Sequence, residues 1–513
     1  MDEEEDRGLG RLRHRERGGE VVVEEEALLV RLDDSGSAVQ YATYFGGAED
    51  ETAEGLAVDA EGGAWIAGTT TSTDLPVALP WQGIRKGILD GFLCRLTPAG
   101  DDLVFSTYFG GTKKIFGNEK PFTTFRGVAL APGGVAVVVG QTDGTDLDIL
   151  DPFQPVRAAG REGIVAGFSP EGELVHSSWL GGAGDDYPVA IAAAPDGAIL
   201  VTGQVQATLF PLVGHVAGIQ GTGSEAFLAK IAPGGASLLC TQVWGGSSSD
   251  YAGSVAVLPS GEVLVGGSTD SSDFPVMAAV QERTTNYDGA FLSLFSAAGD
   301  ALLLSTWVGG NRTDVTDVAA GSDGSLFAVG TTREWPLPAL VDPLQPSLLG
   351  TQDAFLVRIA PDLSGYTCGS PLGGSGFEDE VHVAAEDGDH AWVLMQTTST
   401  DIPVKGAVQE YFGGGTSDAS LQRITFVPGP PSHLTATPLS GTRMNLHWFD
   451  NTVDETGFEI QRRTAAGSFA TVLTASPDRM AVDDPILTPL TTYFYRIRAN
   501  RPGGPTAWSA EVE

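Results

Sequence analysis

Apolar and polar positions along this chain fall into short runs separated by Gly-rich turns, and the runs recur as a set. The clearest marker is a Gly-Gly pair, at Gly46-Gly47, Gly110-Gly111, Gly181-Gly182, Gly245-Gly246, Gly309-Gly310 and Gly373-Gly374. The intervals are 64, 71, 64, 64 and 64 residues, and the long one holds an insertion from Lys113 to Phe122. A fixed period of this length signals a repeat architecture.

Each period contains four runs. The first is small-residue and apolar, as in GLAV from Gly55 and SVAV from Ser254. A turn follows with Gly in every copy: Gly62, Gly134, Gly197, Gly261, Gly324 and Gly388. A hairpin turn needs a positive φ there, which Gly adopts without a Cβ penalty. The second run is almost wholly apolar, as in VAVVVG. After a longer loop come a third run such as AFLVRI and a fourth such as ALLLSTWVGG. Alternation, β-branched residues and aromatics predict strands for all four.

Four antiparallel strands per period, repeated six times, predict an all-β chain: a β-propeller of six four-stranded blades over residues 27–426. The small first strands suit the crowded axis. The chain opens with a third-type run, ALLVRL, and a fourth-type run, YATYFGG, while the last period lacks a fourth run. The N-terminal strand near Tyr41 to Phe45 is therefore expected to complete the last blade. A leftover N-terminal strand leaves room for a seventh, incomplete blade.

The outer segments read differently. Residues 1–26 are a charged run expected to form a disordered tail, with no apolar stretch resembling a signal peptide. After the linker at 427–431 the period stops, and for 432–513 an immunoglobulin-like β-sandwich is expected only from the resemblance given below.

Two resemblances follow from these residues. The pattern DGFLCRLTPAGDDLVFSTYFGG, then GLAVDAEGGAWIAGTTTSTDLP, resembles the bacterial β-propeller repeat called SBBP. That resemblance implies a secreted or cell-surface protein, with no common catalytic activity. The segments SHLTATPLSGTRMNLHWFD and LTPLTTYFYRIRANRPGGPTAWS resemble a fibronectin type III domain. Trp448 then matches its core Trp, and Tyr493 its tyrosine corner.

Charge narrows the partners. Asp plus Glu number 66 against 29 Lys plus Arg, a net charge of -37, which disfavours a nucleic-acid partner. No run is long and apolar enough for a membrane helix, so no membrane insertion is expected, and the chain reads as a monomer. Cys94, Cys240 and Cys368 lack metal-ligand spacing and are expected as buried free thiols.

Candidate chemistry is sparse. Four residues beyond each Gly pair stands an acid, Glu51, Asp186, Asp250, Asp314 or Glu378, missing only beside the insertion. A ring of such carboxylates would attract Ca²⁺, the one cofactor considered; capping of each turn through backbone N–H groups is the preferred reading. A repeated Ser/Thr-x-Asp-apolar-Pro element (Asp74, Asp273, Asp401) and a Gln in every period (Gln82, Gln154, Gln220, Gln281, Gln345, Gln409) read as structural. Asymmetric loop residues are the ligand candidates: Trp81, Arg85, Lys86, Lys113, Lys114, Phe116 and Trp335. They suit a protein or glycan ligand. No residue is assigned a catalytic role. The function expected is non-catalytic binding or scaffolding, against a polysaccharide lyase or hydrolase, or a purely structural cell-surface component.

Overall fold

The computed structural model describes every residue except 1–11, 18–19, 115–116, 118, 207–209, 212, 215–222, 283–287, 335–343, 346, 362, 406, 427–429, 451–454, 478 and 502–504. The described residues contain strands and turns and no helix. They divide into two units, Met1–Ala385 with Trp392–Arg423, and Glu386–Ala391 with Ile424–Glu513.

The first unit begins with β1 (Leu12–Arg17), β2 (Glu20–Glu25), β3 (Ala27–Leu32) and β4 (Val39–Phe45). The charged run predicts an unstructured tail, yet β1 and β2 pair as an antiparallel hairpin. Its register runs from Leu12↔Glu25 to Arg17↔Glu20.

Five four-stranded sheets follow in sequence. They are β5 (Glu51–Val58), β6 (Ala64–Thr70), β7 (Asp90–Leu96) and β8 (Leu103–Phe109); β9 (Thr123–Ala131), β10 (Val135–Thr142), β11 (Glu162–Phe168) and β12 (Leu174–Leu180); β13 (Asp186–Ala193), β14 (Ile199–Gln206), β15 (Ser224–Ile231) and β16 (Leu238–Trp244); β17 (Asp250–Val257), β18 (Val263–Thr269), β19 (Gly289–Phe295) and β20 (Leu302–Val308); and β21 (Thr313–Ala320), β22 (Leu326–Thr332), β23 (Asp353–Ile359) and β24 (Tyr366–Leu372). A three-stranded sheet, β25 (Glu378–Ala385), β26 (His390–Thr397) and β27 (Asp418–Thr425), ends the series. Strands pair in chain order within every sheet, as tight hairpins dictate.

The sheets share one internal design. Each described pairing of first with second strand carries a bulge, for example between Ala53 and Gly55 or Ala252 and Ser254. A second-strand glycine lies against it: Gly68, Gly140, Gly203, Gly267 or Gly330. The apolar second and third strands are buried on both faces, because each sheet packs on the next through its first strand. Shared clusters result, such as Trp65, Phe105, Phe125, Val138 and Phe168.

Three expectations change here. Strand β4 pairs with β3 over Ala27↔Phe45 to Leu32↔Val39 and leaves β25–β27 three-stranded. A local hairpin satisfies β4 at less loop-closure cost than a partner hundreds of residues away. No sheet closes on itself among the described residues. Of the six turn glycines, Gly62, Gly134, Gly197, Gly261 and Gly324 adopt φ between 79° and 97°. Gly388 does not, because both Glu386 and Asp387 N–H groups close that turn on the His390 carbonyl.

The second unit contains β28 (Ser432–Ser440), β29 (Arg443–Phe449), β30 (Gly457–Thr464), β31 (Ala470–Ala475), β32 (Ala481–Asp484) and β33 (Tyr493–Asn500). They form two three-stranded sheets, β28-β29-β32 and β31-β30-β33. Trp448, Leu446, Phe458, Ile460, Tyr495 and Ile497 share one core, with the Trp448 and Phe458 rings 5.3 Å apart. The Thr488 N–H donates to the Tyr493 hydroxyl oxygen at 3.0 Å, tying the loop before β33 to that strand. Removing this acceptor, as in Tyr493→Phe, should lower second-unit stability slightly in chemical denaturation.

Candidate functional site

The loops that follow the Gly pairs and those between second and third strands are built from the residues the repeat keeps. The Glu51 carboxylate accepts from Gly47 N–H at 2.6 Å, Asp186 from Gly182 at 2.7 Å, Asp250 from Gly246 at 2.8 Å and Glu378 from Gly374 at 3.4 Å. All four acids are buried, so they cap their own turns and do not line an open ring. Asp314 departs from the expectation: Thr313 starts β21, and Asp314 is exposed. The turn after Gly310 is one residue shorter, so the acid falls out of register.

The opposite end of each second strand completes the cap. Thr70, Thr269 and Thr397 hydroxyls donate to Glu51, Asp250 and Glu378. Where the first strand begins with Thr, the hydroxyls pair instead, Thr123 with Thr142 and Thr313 with Thr332. Asp186 breaks the rule, because its cross-strand partner is Val205.

A second set of acids, not singled out from the sequence, begins the third strands: Asp90, Glu162, Glu225, Asp353 and Asp418, all buried. They do stand in repeated positions, as in DGFLCRL and DAFLVRI. The repeated Gln serves them. Gln82, Gln154 and Gln345 donate to Asp90, Glu162 and Asp353. Their amide oxygens accept from Gly110, Gly181 and Gly373 N–H. Gln220 lies outside the described residues. The Asp of the Pro-containing element also has a fixed partner: Asp74, Asp273 and Asp401 accept from Ala48, Ser247 and Ser375 N–H at 2.8 to 2.9 Å.

Two carboxylates therefore meet at junctions between sheets. At Gly181, a Cβ would lie 2.5 Å from an Asp186 oxygen and 2.7 Å from a Glu162 oxygen. Burial and mutual repulsion push Asp186 up to about 7, and burial pushes Glu162 up to about 7 against the pull of Arg157. Asp186 Oδ1 has no hydrogen-bond partner.

The ligand candidates distribute unevenly. Trp81 is partly exposed and donates its indole N–H to Asp148 at 3.2 Å, and Lys86 Nζ lies 3.8 Å from the same carboxylate. Arg85 donates to the Thr71 carbonyl, which ties it to its own loop. Lys114 pairs with Asp143 at 3.0 Å, and Lys113 N–H binds Asp146 at 2.9 Å. The insertion is thus anchored on the loop after β10. Phe116 and Trp335 lie outside the described residues. Around Trp81 the loops carry exposed Leu79, Ile84, Ile88, Leu150 and Val156.

For a metal, one group of three stands out among the described residues: Glu386, Asp387 and His390, in the second unit. His390 Nδ1 already bonds Asp387 at 2.9 Å, and the group forms a hairpin turn. The predicted ring acids do not assemble into such a group. Cys94, Cys240 and Cys368 are buried and not in disulfides, and burial raises the Cys94 and Cys240 thiols.

With this geometry in hand, a family model for the SBBP β-propeller repeat matches residues 40–76, from β4 through β6 to the Asp74–Pro76 element. The chain carries a β-propeller repeat. The other sheets reuse the elements of that stretch, the capped Gly pair and the bulged first strand. No curated protein matches. Among solved structures, an Fn3-like protein from Clostridium thermocellum is 26% identical, over 17% of this chain and 88% of its own, with a TM-score of 0.15. A two-domain fibronectin type III segment from chicken tenascin is 11% identical over 38% of this chain and 94% of its own, TM-score 0.18. Titin kinase and its flanking domains match at 22% identity, TM-score 0.16, and the match covers 16% of that chain and 17% of this one. The first two of these neighbours are fibronectin-III-like, and the second unit's description rests on its own strands.

Proposed function

We propose that this is a non-catalytic binding or scaffold protein. In this reading the six repeats form the blades of a propeller, and the second unit is a fibronectin-type spacer. The loops around Trp81 receive a protein partner.

The observation that carries the reading is the exposed apolar group Leu79, Ile84, Ile88, Leu150 and Val156 on two loops tied through Asp148. Exposed aliphatic clusters rimmed by charge mark protein-binding surfaces. A glycan site would lean on stacked aromatics with free donors, and the Trp81 N–H is already engaged. The carboxylates that a hydrolase would use are spent on backbone N–H groups of their own turns.

The test is a displayed random-peptide library panned on the full chain, beside a glycan array. Selected peptides should weaken about tenfold or more on an Ile84→Ser/Ile88→Ser chain. Glycan binding lost with Trp81→Ala would move the partner class to sugars. Binders indifferent to all of these changes would sink the proposed surface.

A further inference from the structure

At each internal junction the sixth residue of a first strand packs on the second strand of the sheet before it. Val128 shares a cluster with Ala67, Ile191 with Val139, and Val318 Cγ1 lies 2.5 Å from where a Cβ on Gly266 would stand. Val128, Val255, Val318 and Val383 are 5 to 9% exposed, and Ala67, Val139 and Val329 fully buried. The two ends of the series break this pattern. Leu56, in the first full sheet, is 58% exposed, and Leu394, in the last, is 42% exposed. Each is half of a contact made everywhere else.

Between them lies the hairpin β3–β4. Its bulge between Arg31 and Leu32 repeats the third-to-fourth-strand bulge of the full sheets, as between Arg95 and Leu96. Glu26 precedes it, near Gly46 and Glu51, as Glu162 precedes the rest of β11 near Gly181 and Asp186. The hairpin touches both end sheets. Arg31 donates to the Pro98 carbonyl at 2.8 Å, and a Cβ at Gly36 would lie 2.5 Å from the Trp392 ring. It has the character of the outer half of one further sheet. Among the described residues β3 pairs only with β4, although every complete third strand also pairs with a second strand. The neighbouring hairpin β1–β2 cannot fold back on β3, because one residue, Glu26, separates β2 from β3.

We propose that the β3 edge, Leu56 and Leu394 form an acceptor for a β-hairpin of first-plus-second-strand type supplied by another chain. Its apolar second strand pairs along β3 and covers both leucines, and its first strand lies between β5 and β25. Those strands present Asp379 and Glu380, with Glu54 paired to Arg126 at 2.8 Å, so the entering first strand is neutral or basic. Recognition combines main-chain hydrogen bonds along an open edge with apolar burial on both faces.

The chain contains a probe with the required pattern, the hairpin β9–β10, whose first strand carries Arg126 and no acid. A synthetic peptide of residues 123–142 should bind the full chain saturably and raise its melting temperature, while a scrambled peptide does neither. Leu56→Arg and Leu394→Arg, both at exposed positions, should each weaken binding about tenfold or more without altering the circular dichroism of the chain. Absence of binding, or binding untouched by either change, overturns the proposal. So does efficient formation of an intramolecular disulfide in a Leu56→Cys/Leu394→Cys monomer, which would mean that the two end sheets meet directly.

Discussion

Gly267→Ala should destabilise the first unit by about 3 kcal/mol or more and cut soluble yield, read by chemical denaturation and by expression at two temperatures. At this bulge the second strand runs so close to the first that a Cβ on Gly267 would overlap the Tyr251 carbonyl oxygen. The same overlap meets Gly68 with Thr52, Gly140 with Thr124, Gly203 with Tyr187 and Gly330 with Asp314. Backbone is the obstacle in all five, so no side chain can rotate away. Relief requires opening the bulge, which would break the ladder that sets the first strand against the preceding sheet. A turn glycine is a useful control. Gly261→Ala meets only the Ala297 methyl group at 3.2 Å and pays chiefly for its φ of 97°, about 1 to 2 kcal/mol. A Gly267→Ala chain no less stable than the Gly261→Ala chain would refute the close-approach argument.

Asp186→Asn should stabilise the protein at pH 8 by about 2 kcal/mol and by less than half as much at pH 5. Asp186 and Glu162 are both buried, face one glycine, and are pushed up to about 7. Their ordinary values are 3.8 and 4.5. Folding therefore favours the protonated forms, and the folded chain binds more protons than the unfolded chain between those limits. Stability falls as pH rises from about 4 toward 7 and stays low above that range. The two sites share their titration, so Glu162→Gln should give a similar gain and the double variant less than the sum. Arg157, beside Glu162, and Asp185, beside Asp186, set the local field and stay in place in both variants. Calorimetric melting at pH 5 and pH 8 decides it. An equal effect at both pH values would mean that the gain came from packing and not from charge. Asp250 is the internal comparison, since Thr269 and Ser271 hydroxyls hold its carboxylate. Burial raises Asp250 as well, but these donors oppose it, so Asp250→Asn should gain less than Asp186→Asn.

Much of this organisation was legible in the residues. The Gly-Gly period announced the sheets because each pair leads from one sheet to the next, where a Cβ would meet a buried carboxylate, as at Gly110, Gly181 and Gly245. Trp448 lies in a buried core, as the resemblance implied for it, with its ring 5.3 Å from Phe458. The repeated Gln was visible as a constant, but its two partners, a third-strand acid and a Gly N–H, come from segments far apart in the chain. Asp314 shows the opposite limit. Counting from the Gly pair selects it, yet a turn shorter by one residue gives its place to Thr313 and turns the acid to solvent.

The sequence by itself determined the all-β class, the number and order of runs, the turn glycines of five sheets and the capping acids in four, since these depend on local spacing and period-two burial. Only the tertiary structure decided which acid lacks a cross-strand hydroxyl donor, because Asp186 meets Val205 through strand register, and which leucines lack cover, because Leu56 and Leu394 depend on neighbouring sheets. It also decided that β4 stays with β3. Local patterns repeat along the chain, whereas the exceptions that carry the proposed chemistry and docking arise where one repeat meets the next.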